Sequence, residues 1–416
     1  MAQYGSRKLA LFLCLAAISS APACRKGDTG PGSPSGSGVV APASAVKGSS
    51  VAAPTPIARA TASGANSNEK SAPSDALTAK SFAELFHSLS EPDREFFSDN
   101  YISNETSYLQ VAPALVERTK PGGVYIGVGP EQSFTYIAHS SPRLAFIVDI
   151  RRQNALLHLL YKAIFSQARH RAHFLGLLFG RPGADIEAES PGGIAEVLEQ
   201  VETHAPNTEY FERAHAELVA TIGDGYAIPL STKDRKSLRD VHEAFFRGQL
   251  DLRFSLKVAN GRNYPSLREL LALRSPDDQR GSFLATQRDF KSLQRLQREH
   301  RIIPVVGDFA GSHALKAIGQ EIERRGLTVS AFYVSNVEQY VMEPRQWKAY
   351  VANVQSLPTN ETSLFIRCYL DQGRRHPLQL RGHRTATVLQ PIHHFMKQQE
   401  RSPYRSFYKL ATDVAK

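Results

Sequence analysis

A chain of 416 residues with 42% hydrophobic residues can bury a sizeable core, and its formal net charge of +10 comes from 50 Lys and Arg against 40 Asp and Glu. The leader and linker defined below each hold two of those ten charges, so six remain on the rest of the chain, compatible with an anionic ligand or a membrane surface and demanding neither. No compact basic run is interleaved with aromatics, which argues against nucleic acid as a partner.

The chain opens with Arg7 and Lys8, the apolar run Leu9–Ile18, and small residues leading to Ala21-Pro22-Ala23-Cys24. This is a charged region, an apolar region and a small-residue cleavage zone, the pattern of a signal peptide over residues 1–23. The apolar run is too short to span a bilayer, which takes roughly 20 residues. Cys24 stands where a lipobox cysteine stands, although Ala21 replaces the usual Leu and Pro22 is unusual. The expectation is an exported lipoprotein, anchored in a membrane of the bacterial cell envelope through a lipid on Cys24. The alternative is a soluble secreted or periplasmic protein.

Residues 24–77 are rich in Gly, Ser, Pro and Ala and nearly lack large apolar residues. Such a segment cannot offset its ordering entropy by burial and reads as a tether. With Cys14 in the leader and Cys24 lipidated, Cys368 is left alone in an apolar run, so no intrachain disulfide forms in the mature domain. Cys368 reads as a small buried residue of a strand.

The domain proper is expected over residues 78–416. Phe82, Leu85, Phe86 and Leu89 are spaced for one helix face. Gly123–Gly129 reads as a buried strand entering a glycine turn. Phe134–Ala138 suits a short helix, and Leu144–Ile150 a second strand ending at Asp149. The spacing of Leu156, Leu160, Ile164, Phe174 and Leu178 predicts one long helix over Gln153–Phe179. Apolar stripes then predict a helical insertion of about residues 185–300. The strand pattern resumes at Ile302–Asp308, followed by a helix over Ala314–Arg325, a strand over Val329–Val334, a helix over Trp347–Leu357 and a strand over Leu364–Tyr369. Alternating strands and helices imply an α/β fold with a doubly wound, mostly parallel sheet.

In such a sheet ligands sit outside the carboxyl ends of the strands. Gly127 and Gly129 would let a backbone approach a ligand closely, and Asp149 lies about twenty residues on, the spacing at which an acid reaches ribose hydroxyls. Asp308 follows a third strand and Ser335-Asn336 a fourth. Each piece has a plainer reading: Gly-x-Gly as a tight turn, an acid after a strand as a helix cap, Asp149 as a partner of Arg151 or Arg152. Together they point to a small nucleoside-type ligand.

The segments Gly122–Gln132, Phe146–Arg152, Gly307-Asp308-Phe309 and Tyr333–Tyr340 resemble an uncharacterised bacterial family with a class I S-adenosylmethionine-dependent methyltransferase-like, Rossmann-like fold, and the likeness covers most of residues 85–395. The resemblance implies S-adenosylmethionine as cofactor, with Gly127 and Gly129 at its amino-acid and ribose end, Asp149 on the ribose and Asp308 at the adenine amine. Glu131, Ser335 and Asn336 complete the implied site. Tyr125 stands where methyltransferases place an acid, Glu131 where they place a small residue, and Gln132 where the dinucleotide fingerprint has its last glycine.

No metal is expected. His170 and His173 are one turn apart but lack a third ligand, so they read as a solvated helix face, as do His383 and His393-His394. Arg374, Arg375, Arg381 and Arg384 suit a solvated loop or an anion-binding patch. Asn104-Glu105-Thr106 and Asn360-Glu361-Thr362 match a glycosylation sequon by chance. Two functions follow: a transferase of unknown acceptor that uses S-adenosylmethionine, or a non-catalytic surface lipoprotein that keeps the fold to bind a ligand or protein partner. An intact general base would favour the first, and Glu338 and Tyr340 are the residues that could supply it.

Overall fold

The apolar runs that end in glycine, acid or serine form the strands of a single sheet. The structure is a computed structural model that describes residues 75–183, 192–256 and 262–414. The expected signal peptide, Cys24 and the linker as far as residue 74 lie outside the described residues. Asp75 and Leu77, placed in the tether by composition, are docked on the domain: Asp75 accepts from Arg143 Nε at 2.8 Å and the Leu77 N–H donates to Glu299 O at 3.0 Å.

Helices α1 (Ala79–Ser88) and α2 (Ala112–Arg118) precede β1 (Val124–Gly127), α3 (Gln132–Ser140) and β2 (Leu144–Asp149). Among the described residues seven α-helices follow before the next strand: α4 (Arg152–Gln167), α5 (Arg171–Phe179), α6 (Ile194–Glu202), α7 (Thr208–Ala220), α8 (Thr232–Gly248), α9 (Leu267–Ala272) and α10 (Gln287–Arg298). Then come β3 (Ile302–Val306), α11 (Ala314–Arg324), β4 (Val329–Ser335), α12 (Val337–Tyr340), α13 (Pro344–Gln355) and β5 (Leu364–Leu370). The chain closes with β6 (Thr385–Pro391), α14 (Ile392–Arg401) and α15 (Phe407–Thr412).

Among the described residues the sheet has six strands in the order β3-β2-β1-β4-β5-β6. The first five are parallel and β6 runs antiparallel to β5. Parallel strands are covered on both faces, which is why every residue of β1, β2 and β3 is buried and why these strands read as continuous apolar runs. The chain builds outward from β1 to β3 and then returns to place β4 on the other side of β1. The strand order therefore reverses between β1 and β4, the position at which a crevice opens beyond the carboxyl ends.

Three expectations change. The single helix expected over Gln153–Phe179 is two helices, because Ala168 is extended (ψ 137°) and His170 caps α5, its Nδ1 accepting from the His173 N–H at 3.2 Å. His170 and His173 are correspondingly buried in the joint between helices, not solvated, and the His173 ring accepts from the Arg169 N–H at 3.2 Å. The strand β6 went unread, since Thr385, Thr387 and Gln390 interrupt its apolar pattern. The Ser107 hydroxyl meets those of Thr385 (2.7 Å) and Thr387 (2.9 Å), and Gln390 Oε1 accepts from Arg367, so the polar side chains are buried at little cost.

Buried ionisable side chains lock elements together at two places. Lys162 of α4 donates to Gln297 O at 2.5 Å and lies over the rings of Phe82 (4.6 Å) and Tyr226 (5.3 Å), tying α1 and α10 to α4; burial pulls its pKa well down. Arg367 of β5 and Glu338 of α12, both wholly buried, are joined by Nε–Oε2 at 2.5 Å and Nη2–Oε1 at 2.9 Å, and the Tyr350 hydroxyl donates to Glu338 Oε1 at 2.8 Å. Cys368, next in β5, is buried as expected.

Candidate functional site at the strand-order reversal

Parallel register brings the carboxyl ends of β1, β2, β3 and β4 to one edge of the sheet, so Gly127, Asp149, Asp308 and Ser335 share a rim. Each is engaged by the protein itself. A side chain on Gly127 would meet the Tyr125 ring, whose Cε1 and hydroxyl lie 2.6 Å from the position a Cβ would take. The bare α-carbon thus accommodates the buried tyrosine that stands where an acid was looked for. Gly129, with φ +77°, makes the left-handed turn that glycine permits, and open space lies over it. Its carbonyl is 2.8 Å from His158 Nε2. Burial holds the His158 pKa down at about 4, so the ring is neutral and donates to that carbonyl.

Residues 90–101 form a strap across the ends of β2 and β3. The Glu91 N–H donates to Val306 O at 2.7 Å and the Arg94 N–H to Ile150 O at 2.8 Å. The Glu91 carboxylate accepts from the N–H groups of Asp308 (3.2 Å), His313 (2.7 Å) and Ala314 (2.8 Å), capping α11. Asp149 is held by Arg151 through Nε–Oδ1 at 2.9 Å and Nη2–Oδ2 at 2.8 Å, the bidentate geometry that a guanidinium fork favours. Arg151 Nη1 reaches on to the strap carbonyls of Ser98 (3.1 Å) and Asp99 (2.5 Å). Asp308 accepts from Arg94 Nη1 at 2.7 Å and from the Ala310 N–H at 2.8 Å. On the strap itself, Phe96 and the exposed Phe97 cluster with the exposed Tyr340 at centroid distances of 4.2–5.9 Å.

Two buried carboxylates flank the reversal point. Glu105 accepts from Gln132 Nε2 at 2.9 Å and from the Ser335 hydroxyl, and Gln132 Nε2 also donates to the Tyr333 hydroxyl at 2.8 Å. Burial pushes the Glu105 pKa up, against the hydrogen bonds from Ser335 and Gln132. Ser335 takes a left-handed conformation (φ +50°) where the β4–β5 register shifts, which aims its hydroxyl at Glu105. Its neighbour Asn336 stands at the start of α12.

Glu131 accepts from the Ser103 N–H at 3.1 Å through Oε1, while Oε2 is buried with no hydrogen-bond partner among the described residues. Burial pushes its pKa up to about 7, and the nearby Glu105 charge adds to the rise. Glu131 also lines a small cavity of about 10 Å³, together with Ser103, Thr135 and Phe283.

A wider opening lies further along the same edge. A cleft of about 570 Å³ runs between Arg253 with residues 262–273 on one side and the base of the β5–β6 hairpin on the other. Arg253, Arg262 and Arg384 line it.

The structure thus gathers the sequence-predicted residues on one rim but leaves a nucleoside little to bind: Gly127 faces Tyr125, Asp149 and Asp308 are each paired with an arginine, and Ser335 serves Glu105. Of the proposed general bases, Glu338 is consumed by Arg367 and Tyr350, and Tyr340 belongs to the aromatic stack. Arg94, Glu105, Arg253 and Arg262 carry no local sequence signal, whereas Arg384 belongs to the arginine cluster read as a solvated loop or an anion-binding patch. Glu105 lies in a chance sequon, and Arg94 meets Asp308 from 214 residues away.

Among the described residues no helix is long and apolar enough to cross a membrane. Comparison with curated proteins gave no match. A family model described as a domain of unknown function (DUF7790) matches residues 101–416. That match takes in the glycine turn, Asp149, Asp308 and all six strands, and it makes this chain a member of the DUF7790 family.

Proposed function

We propose that the chain is an exported lipoprotein, anchored through Cys24, whose Rossmann-like domain binds a ligand or protein partner without transferring a group. The carrying observation is the bidentate Asp149–Arg151 pair beneath the 90–101 strap, which occupies the acid that a nucleoside would need. The strand order, with its antiparallel last strand, supports a doubly wound sheet of the class I methyltransferase type, and the resemblance in the glycine turn agrees. S-adenosylmethionine does not fit the residues as they stand, because Asp149 and Asp308 are each paired with an arginine. Calorimetric titration of the purified chain with S-adenosylmethionine, S-adenosylhomocysteine and adenosine is the test. No saturable heat is expected, and a dissociation constant below about 100 μM for any of the three sinks the binder reading.

A transferase reading draws on a different observation. Glu131, with a pKa of about 7, could exchange a proton near neutral pH two residues from the open Gly129 turn. It requires the strap to leave and Asp149 to exchange Arg151 for ribose hydroxyls. The same titration decides it.

A further inference from the structure

We infer that the cleft between residues 262–273, with Arg253, and the β5–β6 hairpin is a binding site for a small molecule with one anionic head, a carboxylate or a phosphate, on an apolar or aromatic body. The inference rests on the binder reading and gives it a ligand class.

Size and position come first. At about 570 Å³ the cleft falls in the range of roughly 300–1,000 Å³ that small-molecule sites occupy. It lies at the carboxyl end of β5, on the edge of the sheet where open α/β folds bind ligands, and the Arg151–Asp149 and Arg94–Asp308 ion pairs do not fill it.

Charge sets the head group. Three arginines line the cleft against two acids, Glu269 and Asp371, with His383 alongside. Both acids are already bonded. Glu269 accepts from the Ser266 N–H at 2.6 Å and from Arg253 at 3.1 Å, and Asp371 accepts from the Gly373 N–H at 2.9 Å. Arg384, by contrast, has no ion pair or side-chain hydrogen bond among the described residues. Its backbone is fixed, because its carbonyl accepts from the Asp371 N–H at 2.9 Å at the base of the hairpin. A guanidinium on a fixed backbone presents a planar fork that matches a carboxylate or phosphate. The single excess positive charge suits one anionic group.

The walls set the body. Leu273, Leu370, Ala272 and Pro265 offer apolar surface beside the Tyr264 ring. Tyr264 is braced against Phe254 at 4.7 Å between centroids. On the floor, Asn104 and Thr106 offer polar atoms, and His383 Nδ1 sits 3.0 Å from the Thr106 hydroxyl, which holds that ring in place. An inorganic anion would use the arginine and leave the apolar wall wet; a ring-bearing anion uses both.

The test is calorimetry on the full chain with four probes: phenyl phosphate, benzoate, inorganic phosphate and phenol. Phenyl phosphate or benzoate should bind with a sub-millimolar dissociation constant, more tightly than inorganic phosphate or phenol. The stronger of the two names the head group. Arg384→Ala should weaken that binding about tenfold or more, Arg384→Lys should restore part of it, and added salt should weaken it progressively. Circular dichroism checks that both variants stay folded. No binding of either ring-bearing anion, or binding that ignores Arg384→Ala, overturns the site while leaving the binder reading in place. Nucleoside binding in the separate titration overturns that reading and leaves the cleft to stand on these probes.

Discussion

Asp149→Ala separates a carboxylate that holds Arg151 from one that holds a ribose. Both side chains of the pair are only 7% exposed. Removing the acid leaves the guanidinium buried, with the carbonyls of Ser98 and Asp99 as its remaining partners. Breaking a buried ion pair from one side costs about 3–5 kcal/mol, because the surviving charge keeps its desolvation penalty and loses its compensation. For a domain of roughly 340 residues the melting entropy is about 0.7 kcal/mol/K, so Tm should fall by about 4–7 °C in differential scanning calorimetry. The strap loses an anchor at the same time, and limited proteolysis should cut faster within residues 90–101. Asp149→Leu combined with Arg151→Met should recover most of the loss, since apolar replacement of a whole buried pair is often neutral. If Asp149→Ala instead leaves Tm within about 1 °C and weakens adenosine binding ten- to a hundredfold, the carboxylate serves a nucleoside and the structural account is wrong.

Glu131 makes stability depend on pH. Its pKa is raised from 4.5 to about 7 on folding, so the folded chain keeps a proton that the unfolded chain releases, and stability falls as pH rises between those values. Glu131→Gln should therefore gain up to about 3 kcal/mol over wild type at pH 8 and little at pH 4; a difference that does not vary with pH refutes the burial account. Arg367→Met should lower stability by about 3–5 kcal/mol and Arg367→Met with Glu338→Leu should recover most of it, measured by urea unfolding, whereas an unaltered midpoint in the single variant would return Glu338 to consideration as a base. Cys24→Ala should move the protein from the membrane fraction to the soluble fraction of a cell lysate, and unchanged retention would end the lipoprotein reading.

Glu105 and Glu131 bear on both functional readings. They approach the reversal point from opposite sides of Gln132, with Ser103 bonded to Glu131 through its N–H and to Gln132 through its hydroxyl. Two acids in one buried network repel when both are charged, which favours keeping at least one protonated. A binder can use that network as structure alone. A transferase would need substrate to reach it, and the cavity beside Glu131, at about 10 Å³, holds about one water-sized volume.

The sequence by itself determined β1 to β5 and most of the helices, because burial on both faces writes a continuous apolar run into a parallel strand and burial on one face writes a 3.6-residue period into a helix. It placed Gly127, Asp149, Asp308 and Ser335 at strand ends for the same reason, and Cys368 inside β5. Only the tertiary structure decided what those residues touch. Periodicity reports which face of one element is buried, whereas the partner of Asp308 depends on a strap whose Arg94 is distant in the chain, and the burial of Glu105 depends on Ser335 and Gln132 arriving from β4 and α3. Strand β6 escaped notice because its threonines and glutamine find partners in Ser107 and Arg367, and the break between α4 and α5 because a histidine ring did the work of a cap. Polar satisfaction is a long-range property, and the pattern of one segment does not contain it.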